Sequence, residues 1–134
     1  MREILFKAKW KDNGKWFEGC YQKKYDFLGN EEHRIFHADS YRVWEYAEID
    51  PKTLCQFTGL CDKNGNKIWE NDIIQYGAVA AVVKFGEYSN GNLGFYVDFP
   101  EETNYRKDFS YWAKKVVVIG NAVDDRSLLQ EVPE

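Results

Sequence analysis

The chain has 134 residues, which suits one domain with a single modest core. A net charge of -4 excludes bulk attraction to nucleic acid and is too small for a polyanion mimic, while 44% hydrophobic and 30% charged residues exclude a disordered tail. Aromatic residues reach 17%, which favours half-buried pleated surfaces and so a β-rich fold.

The charge is uneven. Residues 1–25 hold seven basic and three acidic side chains, +4 against -8 for the remainder, a weak mark of a polyanion-facing patch. The cysteines, Cys20, Cys55 and Cys61, are odd in number and include no Cys-x-x-Cys pair, so neither a disulfide framework nor a zinc ribbon is indicated. A reducing cytoplasm is the expected setting. No signal-peptide pattern, membrane-length apolar run, internal repeat or low-complexity segment is visible, and no membrane association is expected.

In chain order, residues 3–11 alternate cleanly. Ile4, Phe6, Ala8 and Trp10 fall on one face, and Lys7, Lys9 and Lys11 on the other, as in a half-buried strand. Asn13-Gly14 predicts a two-residue hairpin turn, with Trp10 opposite Phe17, Ala8 opposite Gly19, Phe6 opposite Tyr21, Lys9 opposite Glu18 and Lys11 opposite Trp16. Residues 23–32 read as a wandering connection. Strands are expected over 34–38 and 41–49, the second with neither face clean, and Asp50-Pro51 marks a break.

Residues 54–60 predict a strand, and Asn64-Gly65 a second hairpin with Asp62 opposite Lys67. Two β-branched runs follow, 72–76 and 78–85, with Gly77 between them. A two-residue loop at Asn90-Gly91 would set Val83 against Asp98, so a longer loop or bulge is expected there. A strand over 94–99 ends at Pro100, and 101–112 reads as an irregular excursion or short helix. Residues 115–119 are the most apolar strand and are expected to be central. Asp124 or Asp125 could cap a short C-terminal helix through Leu128 and Leu129. Short strands joined by Asn-Gly turns point to a small, partly open β-barrel, SH3-like or related, or to a sandwich.

Several constellations invite chemistry. Asp62, Asn64 and Asn66 have the look of a calcium loop, but Gly65 precedes Asn66 and Ile73 stands where the closing Glu belongs, so turn chemistry is the favoured reading. Glu70 and Asp72 would share a face on a strand and could do acid–base or metal work; a cap or solvent-facing pair is the simpler reading. His33 and His37, near Glu32 and Asp39, lack a third ligand at metal spacing. Cys55 and Cys61 read as buried structural thiols. No catalytic residue, metal site or cofactor is therefore assigned. Lys7, Lys9 and Lys11 with Trp16 could grip nucleic acid by charge and stacking, though lysines on an edge hairpin also prevent edge pairing. The lysine-edge reading is favoured.

The run Gln56-Phe57-Thr58-Gly59-Leu60-x-Asp62-Lys63-Asn64-Gly65-x-x-Ile68-Trp69-Glu70-x-Asp72-Ile73-Ile74 resembles the signature of the YopX-like family of phage and prophage proteins. Ile4 to Trp10, Val118-Ile119-Gly120-Asn121 and Leu128-Leu129 extend the resemblance along nearly the whole chain. Asn71 stands where the family usually has Gly, and Asn can still take the left-handed backbone. The resemblance implies one β-rich, barrel-like domain over 1–134, with a hairpin region to about residue 50 and a barrel-like part from about 54 to 130. It implies a mobile-element origin and a homo-oligomer, and it supplies no catalytic residues. A binding role toward a host or phage protein is the expectation, with nucleic-acid binding and a carboxylate- or metal-dependent hydrolase as alternatives.

Overall fold

The protein is mainly β, in two antiparallel sheets. The computed structural model describes residues 4–37 and 45–125, and no closed barrel is found among them. The chain divides into two compact units, Met1–Phe57 and Thr58–Glu134.

The first unit is built on β1 (Phe6–Lys9), β2 (Trp16–Tyr25), β3 (Glu31–His37) and β4 (Glu45–Glu48), with the start of β5 (Cys55–Cys61) beside β1. The pairing is β4-β3-β2-β1-β5. Alternation sorts the faces. Tyr21 lies opposite Ile35, and Ile35 opposite Ala47, so one row of apolar side chains crosses three strands. Phe6 meets Tyr21 ring to ring at 5.7 Å, and Ala8, Ile35, Ala47 and Ile49 are buried at the centre. Asp50 caps the 3-10 turn Pro51–Thr53, accepting from the Lys52 amide, where Asp-Pro marked a break.

The first hairpin has the expected strands and a different register. Ala8 lies opposite Phe17 and Lys9 opposite Trp16, two residues from the expected pairing. Trp10 N donates to Lys15 O and Gly14 N to Trp10 O, so residues 11–14 form the loop. The Asn13 carboxamide oxygen accepts from Lys15 N at 2.9 Å, which favours this longer turn over a two-residue one. Because side chains alternate with period two, a slip of two keeps every residue on its face. The connection expected over 23–32 is instead strand and turn: β2 runs to Tyr25 and β3 begins at Glu31. This end of the hairpin is exposed, so its residues carry no hydrophobic alternation, and the ladder alone defines them.

The second unit takes the rest of β5, then β6 (Lys67–Trp69), β7 (Asp72–Tyr76), β8 (Val79–Tyr88), β9 (Asn92–Val97) and β10 (Val117–Asn121). Four strands form a sheet in the order β10-β7-β8-β9. Asp62 N donates to Asn66 O, so the second hairpin closes on a three-residue loop and Asp62 is not opposite Lys67. The third loop, residues 89–91, sets Val83 opposite Val97, as the longer loop required. Ile68, Ile74, Val83, Val97 and Val116 are fully buried, and Phe99 packs on Trp112 at 5.0 Å. Trp112 closes the short helix α1 (Phe109–Trp112), its indole N–H donating to Arg106 O at 2.7 Å. The helix expected through 128–130 lies outside the described residues.

β10 is an edge strand, not a central one. Its apolar composition fits because its outer edge is covered: Asp62 accepts from Val118 N at 2.9 Å, and Lys63 N donates to Val116 O at 3.2 Å. Cys61 is exposed, contrary to the buried reading, whereas Cys55 is buried and its thiol donates to Thr53 O.

Among the glycines of the first unit, Gly19 is the one crowded by a neighbouring strand. A Cβ there would overlap Phe36 O, and backbone cannot swing aside as a long side chain can. Gly19→Ala is expected to cost about 3 kcal/mol, read from urea unfolding. A change under about 0.5 kcal/mol, the scatter of ordinary surface changes, would contradict this approach.

Candidate functional site

The signature stretch folds around two buried carboxylates, Asp62 and Asp72. Asp62 sits at the end of β5. Its Oδ1 accepts from the amides of Asn64 and Asn66, both at 2.9 Å, and its Oδ2 from Val118 N and, at 3.5 Å, the Asn66 carboxamide. Gly65 takes φ 85°, which the loop requires and a side chain resists. Burial pushes the Asp62 carboxyl up, but the amides of Val118, Asn66 and Asn64 outweigh burial and hold it below the usual carboxylate range. Asp62 and Asn64-Gly65 thus shape a turn, as the spacing favoured, and the turn is fastened to β10.

Thr58 and Gly59 prepare this geometry. Thr58 Oγ1 donates to Ile68 O at 2.7 Å, tying β5 to β6, and Gly59 at φ 89° breaks the strand's regular pleat. Trp69 is buried, and its amide donates to Asp72 Oδ2 at 2.7 Å. Between them Asn71 adopts φ 71°, the left-handed backbone its side chain tolerates. Asn71 N donates to Val83 O and Asn71 O accepts from Ala122 N, each at 2.7 Å. The left-handed residue breaks the alternation on which a shared Glu70–Asp72 face depended. Glu70 is half-buried in the turn; Asp72 is buried at the start of β7.

Asp72 Oδ1 accepts from the Asn121 carboxamide at 3.0 Å. The Asn121 side-chain oxygen then accepts from Val123 N at 2.8 Å. Asn66 serves the turn, as its spacing from Asp62 suggests, and Val118 and Asn121 join the constellation from a stretch to which the spacing assigns no role. The signal lies in the resemblance itself, which includes both 56–74 and 118–121 as separate blocks and does not show that they pair.

The basic hairpin comes together in part. Lys7 and Lys9 place their ammonium groups 4.7 and 5.6 Å from the centre of the Trp16 ring. Lys11 lies elsewhere, 3.3 Å from a Glu48 carboxylate oxygen, and Lys7 is opposite Glu18. Trp16 faces Lys9, not Lys11, a consequence of the two-residue shift. Cations already occupy the neighbourhood of the ring, and two carboxylates sit beside the lysines.

His33 uses both ring nitrogens, Nδ1 2.6 Å from the Tyr21 hydroxyl and Nε2 3.3 Å from Glu31. Burial raises the Tyr21 hydroxyl, so this phenol stays protonated and does not act as a phenolate. Lys23 first, and His33 second, lower the Glu31 carboxyl. The His37 side chain and Asp39 lie outside the described residues. Among the described residues no group of three or more His, Cys, Asp or Glu side chains is arranged to hold a metal ion, and no helix is long and apolar enough to cross a membrane.

Residues 5–130 match the family described as YopX protein. The chain belongs to that family. Membership covers nearly the whole sequence and both carboxylate clasps, so the YopX signature of this chain is now readable as hydrogen-bonding geometry. No curated protein matches the chain.

Removing the Asp62 carboxylate strands three amide donors. Asp62→Ala is expected to cost about 3 kcal/mol, measured by urea unfolding. The pH dependence has a fixed sign. Because the folded-state pKa is depressed, the Asp62 contribution is fully present above the unfolded value of about 4 and is lost as pH falls through the folded value. The stability gap between wild type and Asp62→Asn should therefore shrink on acidification below about pH 4; a gap constant with pH would exclude the ionised clasp.

Proposed function

We propose that this YopX-family chain is a phage- or prophage-encoded accessory protein that acts by binding a host or phage protein in the bacterial cytoplasm, as a homo-oligomer. The observation that carries the reading is the use made of the signature carboxylates. Asp62 and Asp72 each accept hydrogen bonds on both oxygens from their own chain, which is what a structural clasp does and a general base aimed at substrate does not.

Nucleic-acid binding is the second reading. The gathering of Lys7 and Lys9 on Trp16 favours it. Glu18 opposite Lys7 and Glu48 against Lys11 weaken it, because they cancel charge where phosphates would lie.

Affinity capture from infected or lysogenic cells, together with the solution mass of the purified chain, tests the main reading. A protein recovered at fixed stoichiometry and retained by Lys7→Gln/Lys9→Gln is the expected outcome. DNA binding that weakens steeply with salt and is lost in that double variant would favour the second reading. Turnover of any substrate abolished by Glu70→Gln or Asp72→Asn, with the fold intact, would overturn the binding role.

A further inference from the structure

Two loops of this protein share one backbone. The β2–β3 hairpin ends in Asp26-Phe27-Leu28-Gly29-Asn30, and the β5–β6 hairpin in Asp62-Lys63-Asn64-Gly65-Asn66. In the first, Asp26 N donates to Asn30 O at 2.9 Å and Gly29 N to Asp26 O at 3.0 Å; in the second the same bonds measure 2.8 and 3.0 Å. Asp26 Oδ1 accepts from the amides of Leu28 and Asn30 at 2.9 Å, as Asp62 Oδ1 does from those of Asn64 and Asn66. The glycines take φ 86° and 85°. Positions one, four and five build the loop. Positions two and three leave it unchanged, for they are Phe and Leu in one loop and Lys and Asn in the other.

This internal control isolates the two apolar residues. Phe27 is 96% exposed and Leu28 72%. The loop geometry does not need them, and the core does not receive them. Side chains of this kind on a pre-formed loop are suited to contact, because little conformational freedom is left to lose on docking. Tyr25, also exposed, stands beside them on β2.

The surroundings choose the kind of partner. Lys23 pairs with Glu31 at 3.1 Å, Arg34 with Glu32 at 2.6 Å, and Lys24 lies opposite Glu32. With the Asp26 carboxylate in the loop itself, three cations stand against three carboxylates, so the tip is neutral overall, which gives no attraction to a polyanion or an anionic membrane. Transferring one Phe and one Leu into a bilayer gives binding of roughly millimolar strength, too weak to hold the chain there. A protein pocket adds rim contacts to the same anchor.

We propose that Phe27 and Leu28 form the anchor by which this chain docks into an uncharged, apolar pocket on a protein other than itself. The inference rests on the binding role above, which survives if a partner is held by another surface. The test places p-benzoylphenylalanine at position 27, and as a control at position 63, of the full chain in bacteria that natively express it. Light-induced adducts with one protein from position 27 and not from 63 are expected. That protein, purified, should then lose about a hundredfold or more in affinity for F27K/L28N and less than about threefold for K63A/N64A. F27K/L28N writes the second loop into the first, so its thermal unfolding should match wild type. Equal adducts from both positions, adducts with lipid or with this chain alone, no adduct, or unchanged affinity would each overturn the anchor, and so would failure of F27K/L28N to fold.

Discussion

The Asp62 carboxylate holds two pieces of the second unit at once. One oxygen organises the turn from Asp62 to Asn66, and the other reaches Val118, 56 residues further along the chain. A buried charge is tolerated only where hydrogen bonds replace water, and here backbone amides from two elements do so. The edge of β10 depends on this arrangement. Without the loop against it, the amide of Val118 and the carbonyl of Val116 would be an open strand edge carrying an apolar sequence.

Asp72 repeats the device at the other end of β10. It gathers the Trp69 amide and the Asn121 carboxamide, while Asn71 supplies the left-handed turn between β6 and β7. The bulge in β10 between Val118 and Gly120 lets the strand satisfy both clasps, since pairing with β7 resumes one residue later at Gly120 opposite Ile73. Two stretches that looked like separate sequence blocks are thus one object. A motif rich in carboxylates thus does structural work in this chain: its most sharply written residues position backbone.

The sequence disclosed strands well where one face is buried. Ile4 to Trp10, the pair of runs around Gly77 and the long third loop all declared themselves through alternation or through the cost of a mismatched pair such as Val83 with Asp98. It disclosed register poorly. Asn13-Gly14 and Asn64-Gly65 both signal turns, but the side chains of Asn13 and Asp62 bond forward to the backbone and favour longer loops than the dipeptide alone suggests. The strand ending at Tyr25 was illegible because nothing covers it. β10 was mistaken for a central strand because its cover is a polar clasp, which leaves no hydrophobic mark on its partner. In the candidate site, Asp62 and Asp72 were legible as residues, and their acceptor duties depended on Val118 and Asn121, contacts no local spacing encodes. The similarity of 26–30 to 62–66 was in plain view as Asp-x-x-Gly-Asn, and only the shared hydrogen bonds give it weight.

That shared loop separates two kinds of constraint within five residues. Asp, Gly and Asn answer to the backbone, and the side chains at the two positions between them are free of that constraint. A lineage carrying such a frame can exchange what it displays one side chain at a time without passing through a misfolded intermediate. Stability and recognition can then be selected independently, and for a protein whose partner itself changes that independence is an evolutionary asset.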